Sequence, residues 1–238
     1  MRTSTKSIIV LFLSICTSTI YAQNTEEIRN VSNFKGIRIS SGIDLYIKQG
    51  SVESVRIVGD KDKLAKVKTE KEGDILKIYA GTNKGWFNFE FNWNDKKTIK
   101  AYVTVKNLNS ISATGGSDVF SEGKLDLIKL DLKATGGSDV KLDLDTDELI
   151  CETTGGSDVT LSGTATVFRA STTGGSDLKA KNLRTNFCSV SSTGGSDAHV
   201  WAEKEISISA TGGSDVYHKG GARIVQSNIT GGSDVHKQ

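Results

Sequence analysis

Seven aspartates carry the clearest chemical signal in this 238-residue chain: Asp118, Asp139, Asp158, Asp177, Asp197, Asp215 and Asp234, each closing an unvarying Thr-Gly-Gly-Ser-Asp. They stand 21, 19, 19, 20, 18 and 19 residues apart. One carboxylate at the same place in each repeating unit becomes a column of negative charge once the units stack. Two unit charges ~4.8 Å apart repel by about 1 kcal/mol in water and about 3–4 kcal/mol at an effective dielectric of 20. The column therefore requires backbone or hydroxyl donors, raised pKa values, or cations between its rungs. Calcium is one such cation, with the seven Asp as its candidate ligands. The known calcium β-roll, however, repeats Gly-Gly-x-Gly-x-Asp every nine residues, whereas here the third Gly is missing and the period doubles.

Beside the carboxylates run two hydroxyl rows, of which Thr135, Thr154, Thr173, Ser138, Ser157 and Ser176 are candidates for contact with a regular ligand. An anionic neighbouring row suits a hydrated sugar better than ice. Trp86 to Trp93 holds five aromatics in eight residues, with Phe87, Phe89, Phe91 and Trp93 on one strand face. That is the pattern of a half-buried strand, and Trp86, off that face, is a candidate sugar-stacking residue. Catalysis has little to build on. His199, His218 and His236 follow repeat Asp residues in no metal-ligand spacing and read as surface residues. The repeat Ser lacks the Gly-x-Ser-x-Gly elbow and a matching base. Asp143, Asp145 and Asp147 alternate along one face at a turn and read as solvated. No catalytic residue and no required cofactor emerges.

The elements that hold the motif follow from its flanks. Three residues before each Thr stand Ile111, Leu132, Cys151, Ala170, Val190, Ile208 and Ser227, and directly after each Asp come Val119, Val140, Val159, Leu178, Ala198, Val216 and Val235. Period-two alternation on both sides of a Gly-Gly corner predicts strand, corner, strand and a second, looser corner. Those second corners fall at Glu122-Gly123-Lys124, Asp145-Thr146-Asp147, Ser162-Gly163-Thr164, Asn182-Leu183-Arg184 and Gly220-Gly221. The fold class is all-β, a parallel β-helix or β-roll-like solenoid of ~19-residue coils with a β-rich N-terminal portion. Cys151 and Cys188 fall in different inward rows two coils apart, roughly 10 Å along the axis, too far for a disulfide. They read as core thiols.

Ahead of the repeats, Ile37–Ile39, Ile43–Ile47, Val55–Val58, Ile75–Tyr79 and Ile99–Val105 read as short strands, and Lys61–Lys71 as a helical or extended connection. These strands start the stack and cap its end. Residues 1–22 read as an export signal, with Arg2 and Lys6 before the apolar run Ile8–Leu13 and a Tyr21-Ala22 junction. Residues 23–110 are then the N-terminal β-rich part, and 111–238 the seven-coil repeat. Without the signal the chain carries 28 basic and 28 acidic residues, which excludes a nucleic-acid footprint. The balance hides an asymmetry, with 16 basic against 11 acidic residues in 23–110 and 12 against 17 in 111–238. No second apolar run follows, so no transmembrane segment is expected in the mature chain. Of 25 Gly, 14 belong to the corners, and there is no Pro, as stacked strands that donate on both edges require.

Phe34-Lys35-Gly36-Ile37, then Ser41 through Gly50, Tyr102-Val103-Thr104-Val105-Lys106-Asn107-Leu108 and the serial Gly-Gly-Ser-Asp-Val units resemble the head GIN family of Bacteroidetes-type bacteria, over roughly residues 31–238. The resemblance implies an exported β-helical protein labelled an adhesin, and it brings no catalytic residues. The expected function is a non-enzymatic periplasmic, outer-membrane-associated or extracellular scaffold that binds a glycan, surface or protein partner. The alternatives are a calcium-stabilised scaffold and a polysaccharide-acting enzyme.

Overall fold

The computed structural model describes residues 25–81 and 98–238. Residues 1–22, read above as an export signal, and the Trp86–Trp93 aromatic segment lie outside the described residues. Sixteen strands form a single sheet that winds on itself as a solenoid. In chain order these are β1 (Thr25–Arg29), β2 (Gly36–Ile39), β3 (Ile43–Gln49), β4 (Ser54–Gly59), the one-turn helix α1 (Lys61–Leu64), β5 (Val67–Glu72), β6 (Ile75–Ala80), β7 (Ile99–Val105) and β8 (Ser110–Thr114). The repeats follow as β9 (Val119–Thr135), β10 (Val140–Thr154), β11 (Asp158–Gly174), β12 (Asp177–Gly194), β13 (Ala198–Gly212), β14 (Val216–Lys219), β15 (Arg223–Gly231) and β16 (Val235–Lys237).

Each repeat strand pairs in parallel with the equivalent strand one coil away, so Val140 lies beside Val119 and Val159, and Leu149 beside Leu130 and Phe168. The inward rows Leu130–Leu149–Phe168–Cys188–Ile206 and Leu132–Cys151–Ala170–Val190–Ile208 are buried throughout. Leu, Val and Ile in register form one continuous apolar column, the principal stabilising term of a stacked fold. Cys151 and Cys188 sit in these two rows as free, buried thiols.

The looser corners are bends within paired strands. Gly123, Gly163 and Gly220 adopt φ of +97°, +108° and +102°. Farther along, inward side chains step by three residues instead of two, from Leu127 to Leu130, Thr146 to Leu149, Ala165 to Phe168 and Thr185 to Cys188. Two consecutive outward residues at each step mark a second bend, which the apolar pattern alone does not separate from the first.

The N-terminal strands close one end of the solenoid. β3 stacks in parallel on β9, and β2 stacks on β8. β7 then adds to β3 in parallel, whereas β4 adds to β7, and β1 to β4, antiparallel. β5 pairs antiparallel with β6. The switch of direction ends the coil stacking, and α1 inserts Leu64, fully buried, over the core. Among the described residues no helix is long and apolar enough to cross a membrane.

Candidate functional site

The Thr-Gly-Gly-Ser-Asp corner sorts its residues by direction. Thr114, Thr135, Thr154, Thr173, Thr193, Thr211 and Thr230 stand in register on the outside. The two Gly project at the edge, and in the first three corners both adopt positive φ, between +63° and +76°. From Gly174 onward only the first Gly does so, and from Gly195 onward the second donates its N–H to the first Gly of the preceding coil, as from Gly195 to Gly174 O at 2.9 Å.

The Ser then turns inward. Ser117, Ser138, Ser157, Ser176, Ser196 and Ser214 are 0% exposed, so Ser138, Ser157 and Ser176 lie beyond the reach of a surface ligand. Their hydroxyls accept N–H groups of the preceding coil: Ser138 Oγ from Ser117 N at 3.3 Å, Ser157 Oγ from Ser138 N at 3.0 Å, and Ser176 Oγ from both Gly156 N at 3.2 Å and Ser157 N at 3.3 Å. A corner breaks the strand ladder and orphans these donors, and a buried Ser in the next coil satisfies them.

The Asp column is outward and partly shielded. Asp118 Oδ1 accepts Asp139 N at 3.0 Å, Asp197 Oδ1 accepts Asp215 N at 3.2 Å, and Asp215 Oδ1 accepts Asp234 N at 3.2 Å. Lys179 bonds Asp158 at 2.8 Å and lies 3.6 Å from Asp177. Backbone N–H groups and an interleaved lysine thus lessen the repulsion at these rungs. Burial first, with the Asp139 charge adding to it and the Asp139 N–H bond opposing it, raises Asp118 above the usual carboxylate range.

The column also extends one rung further than the motif. Gly42 N donates to Gly115 O, Ile43 N to Ser117 Oγ at 3.1 Å and Leu45 N to Asp118 O, so Ser41-Gly42-Ile43-Asp44 is a degenerate corner stacked on the first repeat. Ile43 takes the inward place of Ser, and Asp44 continues the aspartates. Its backbone pairs with Lys100, which ends the column with a positive charge. Burial first and the Asp118 charge second raise the Asp44 carboxyl to about 6, with Lys100 pulling the other way.

The histidines divide. His218 is buried, at the inward place that Val200 holds one coil earlier, so it is a core residue of the last coils and not a surface one. His199, Tyr217 and His236 stack as a ring column beside the last three aspartates, with centroids 4.5 and 4.8 Å apart. Asp215, Asp234 and His236 bring ligand atoms within 4.8 Å of one another.

On another side of the coil lies an open groove of about 750 Å³. One outward column of it runs Asp126, Asp145, Thr164 and Arg184, in register across four coils. Trp201 and Lys219 prolong the same column. A second column supplies Ile128, Asp147, Thr166 and Asn186. Asp145 accepts Thr164 Oγ1 at 2.8 Å and pairs with Lys124 at 3.1 Å, and these partners hold it below the usual carboxylate range. Arg184 donates to Glu203 at 2.8 Å and faces the Trp201 ring at 5.8 Å, while Lys219 covers that ring at 4.2 Å. Carboxylate, hydroxyl, amide and guanidinium groups thus line an open trough, and beyond it the Trp201 indole lies between Arg184 and Lys219. Asp145 and Asp147, which read as a solvated turn, belong to this trough.

The family described as "putative auto-transporter adhesin, head GIN domain" matches residues 33–222. The chain belongs to that family. The head GIN fold recurs in a putative adhesin from Bacteroides fragilis, 24% identical, with a TM-score of 0.82 over 92% of this chain and 98% of that one. It recurs in a structure named a putative lipid binding protein from Parabacteroides distasonis, 17% identical, TM-score 0.72, covering 90% and 96%. A putative adhesin from Parabacteroides merdae shares it too, 18% identical, TM-score 0.70, covering 91% and 96%. No curated protein matches the chain. At these identities the solved structures speak for the head GIN fold alone.

Proposed function

We propose that this head GIN protein is an exported, non-enzymatic adhesin that binds glycans along the groove on the solenoid's side. The observation that carries the reading is the column Asp126–Asp145–Thr164–Arg184, which repeats hydrogen-bonding groups every coil and leads to Trp201. Successive rungs lie ~4.8 Å apart, close to the length of one sugar ring, so an extended chain of sugars meets a new polar group at each residue. Carboxylate, hydroxyl, amide and guanidinium groups of the lining recognise sugar hydroxyls. The adhesin names of the family and of its solved relatives support the class of role. The apolar run with Arg2 and Lys6 in residues 1–22 supports export.

A glycan array probed with the mature protein tests the reading, with Arg184→Ala, Asn186→Ala and Asp158→Ala beside it and thermal melts to confirm folding. Binding that falls at least tenfold in the two groove variants and persists in Asp158→Ala supports it. No bound glycan, or binding indifferent to the groove, sinks it. Turnover of a bound polysaccharide would replace the adhesin with an enzyme.

A further inference from the structure

The two ends of the solenoid are finished differently. At the N-terminal end, antiparallel β1, β4 and β5 together with α1 close the stack. At the other end β15 pairs with β13 along one edge, and among the described residues nothing pairs its second edge. All nine of its residues are exposed, including the apolar Ile224, Val225 and Ile229 at 46, 47 and 44%. From Ile224 to Thr230 the strand carries no charge and no Pro, the devices that ordinarily keep an edge from pairing. A register irregularity beside Val225 is its one departure from a regular strand.

We propose that β15 is a self-association edge, on which a second copy of this chain docks end to end about a two-fold axis through Ser227. The strand is self-complementary in that register. Antiparallel pairing centred on Ser227 sets Gln226 against Asn228 of the second copy on the outward side, where they align with Ser207 and Ser209, and brings the inward Ile229 of each copy beside the apolar Val225 of the other. Both hydrophobic cores become continuous across the junction. Charge agrees: Arg223, which pairs with Glu205 of its own copy and is 75% exposed at its side chain, opens the strand, and the exposed Asp234 follows its far end. Two-fold pairing brings each arginine toward the other copy's aspartate, and no like charges oppose one another along the strand.

The area suffices. Nine residues at ~3.3 Å each span about 30 Å, and two walls ~10 Å apart with their outward side chains give a depth of about 20 Å. That end face is about 600 Å² per copy, or about 1,200 Å² in total, the lower bound of a standard specific interface and above the ~800 Å² of incidental contacts. An isologous pairing of this kind closes on itself and leaves no further edge on that face. The proposal is independent of the groove and its ligand.

Sedimentation velocity of the full mature chain between 1 and 100 μM (on the order of a 100-fold range that spans weak and tight dimers) reads it directly. The wild type is expected at twice the chain mass. Gln226→Lys with Asn228→Lys places like charges opposite twice across the two-fold and should raise the dissociation constant at least tenfold. Gln226→Glu with Asn228→Lys places opposite charges at the same two points and should restore the dimer. A monomeric wild type overturns the proposal, whatever other partner the edge takes. So does a dimer unaffected by either pair, or one weakened equally by both.

Discussion

Replacing Ser176 with alanine tests why the corner never varies its serine. Ser176 is fully buried, and its hydroxyl oxygen accepts the N–H groups of Gly156 and Ser157 in the preceding coil. Alanine fits the space but leaves both donors without that acceptor. The Ser157 N–H is enclosed and bears the full desolvation cost of an unmade bond, about 1–3 kcal/mol. The Gly156 N–H lies at the exposed edge, where water recovers part of its loss. The sum is about 2–3 kcal/mol, and at roughly 2–4 °C per kcal/mol for a chain of this size the melting temperature should fall by about 5–10 °C. Thr173→Ala, three residues away on the exposed row, should stay within about 0.5 kcal/mol of wild type. Thermal melts followed by circular dichroism give the two shifts, and hydrogen exchange should show protection lost at residues 155–158 in the serine variant alone. Equal melting temperatures for the two variants, with exchange unchanged at that corner, would refute the idea that the serine column satisfies corner donors.

Asp44 carries a pH dependence of defined sign. Its folded carboxyl holds a proton up to about pH 6, whereas the unfolded chain releases it near pH 4. Stability should therefore fall as the pH rises from about 4 to about 6, and Asp44→Asn should melt higher than wild type at pH 7.5 and equal to it at pH 4. Two glycine substitutions separate conformational strain from collision. Gly137→Ala, at φ +76° with nothing within 4 Å of the added carbon, should cost about 1–2 kcal/mol by urea titration. Gly163→Ala places that carbon 2.0 Å from the Leu144 carbonyl oxygen at φ +108°, so a neighbouring coil must move and the cost should exceed about 3 kcal/mol. Burial pushes the Cys151 and Cys188 thiols up to about 12. Both should ignore Ellman's reagent in the native protein at pH 8 and react once urea unfolds it.

The spacing of the aspartates was enough to read the coils, the inward rows and the separation of the two thiols, because each depends only on counting along a strand. The corner serines are misread by residue type, not by position. Ala134, Ser138 and Val140 share one parity and are all buried, so the alternation carries through the two glycines and puts Ser138 inside, against the expectation that a turn serine faces solvent. His218 is misread for the same reason: its ring is polar, although Val216 two residues before it and Val200 one coil away both mark the position as inward. The added rung at Asp44 hides behind Ile43, which replaces the serine that defines the motif, although the Ser-Gly-x-Asp spacing from Ser41 was there to find. The groove was harder still. Asp126, Asp145, Thr164, Arg184 and Trp201 differ in type and stand 19, 19, 20 and 17 residues apart, and they become a column only after register shifts absorb the unequal coil lengths.

The direction of the strands has a mechanical consequence. They run across the solenoid, and the bonds joining one coil to the next run along it. A pull along the long axis therefore loads those bonds in line, opening the outermost coil before its neighbour instead of shearing the whole stack at once. Nineteen residues drawn out at ~3.3–3.6 Å each lengthen the molecule by about 60 Å beyond the ~4.8 Å the coil occupied. Under tension a solenoid of this design extends in nearly equal increments, each set by the distance from one Thr-Gly-Gly-Ser-Asp to the next.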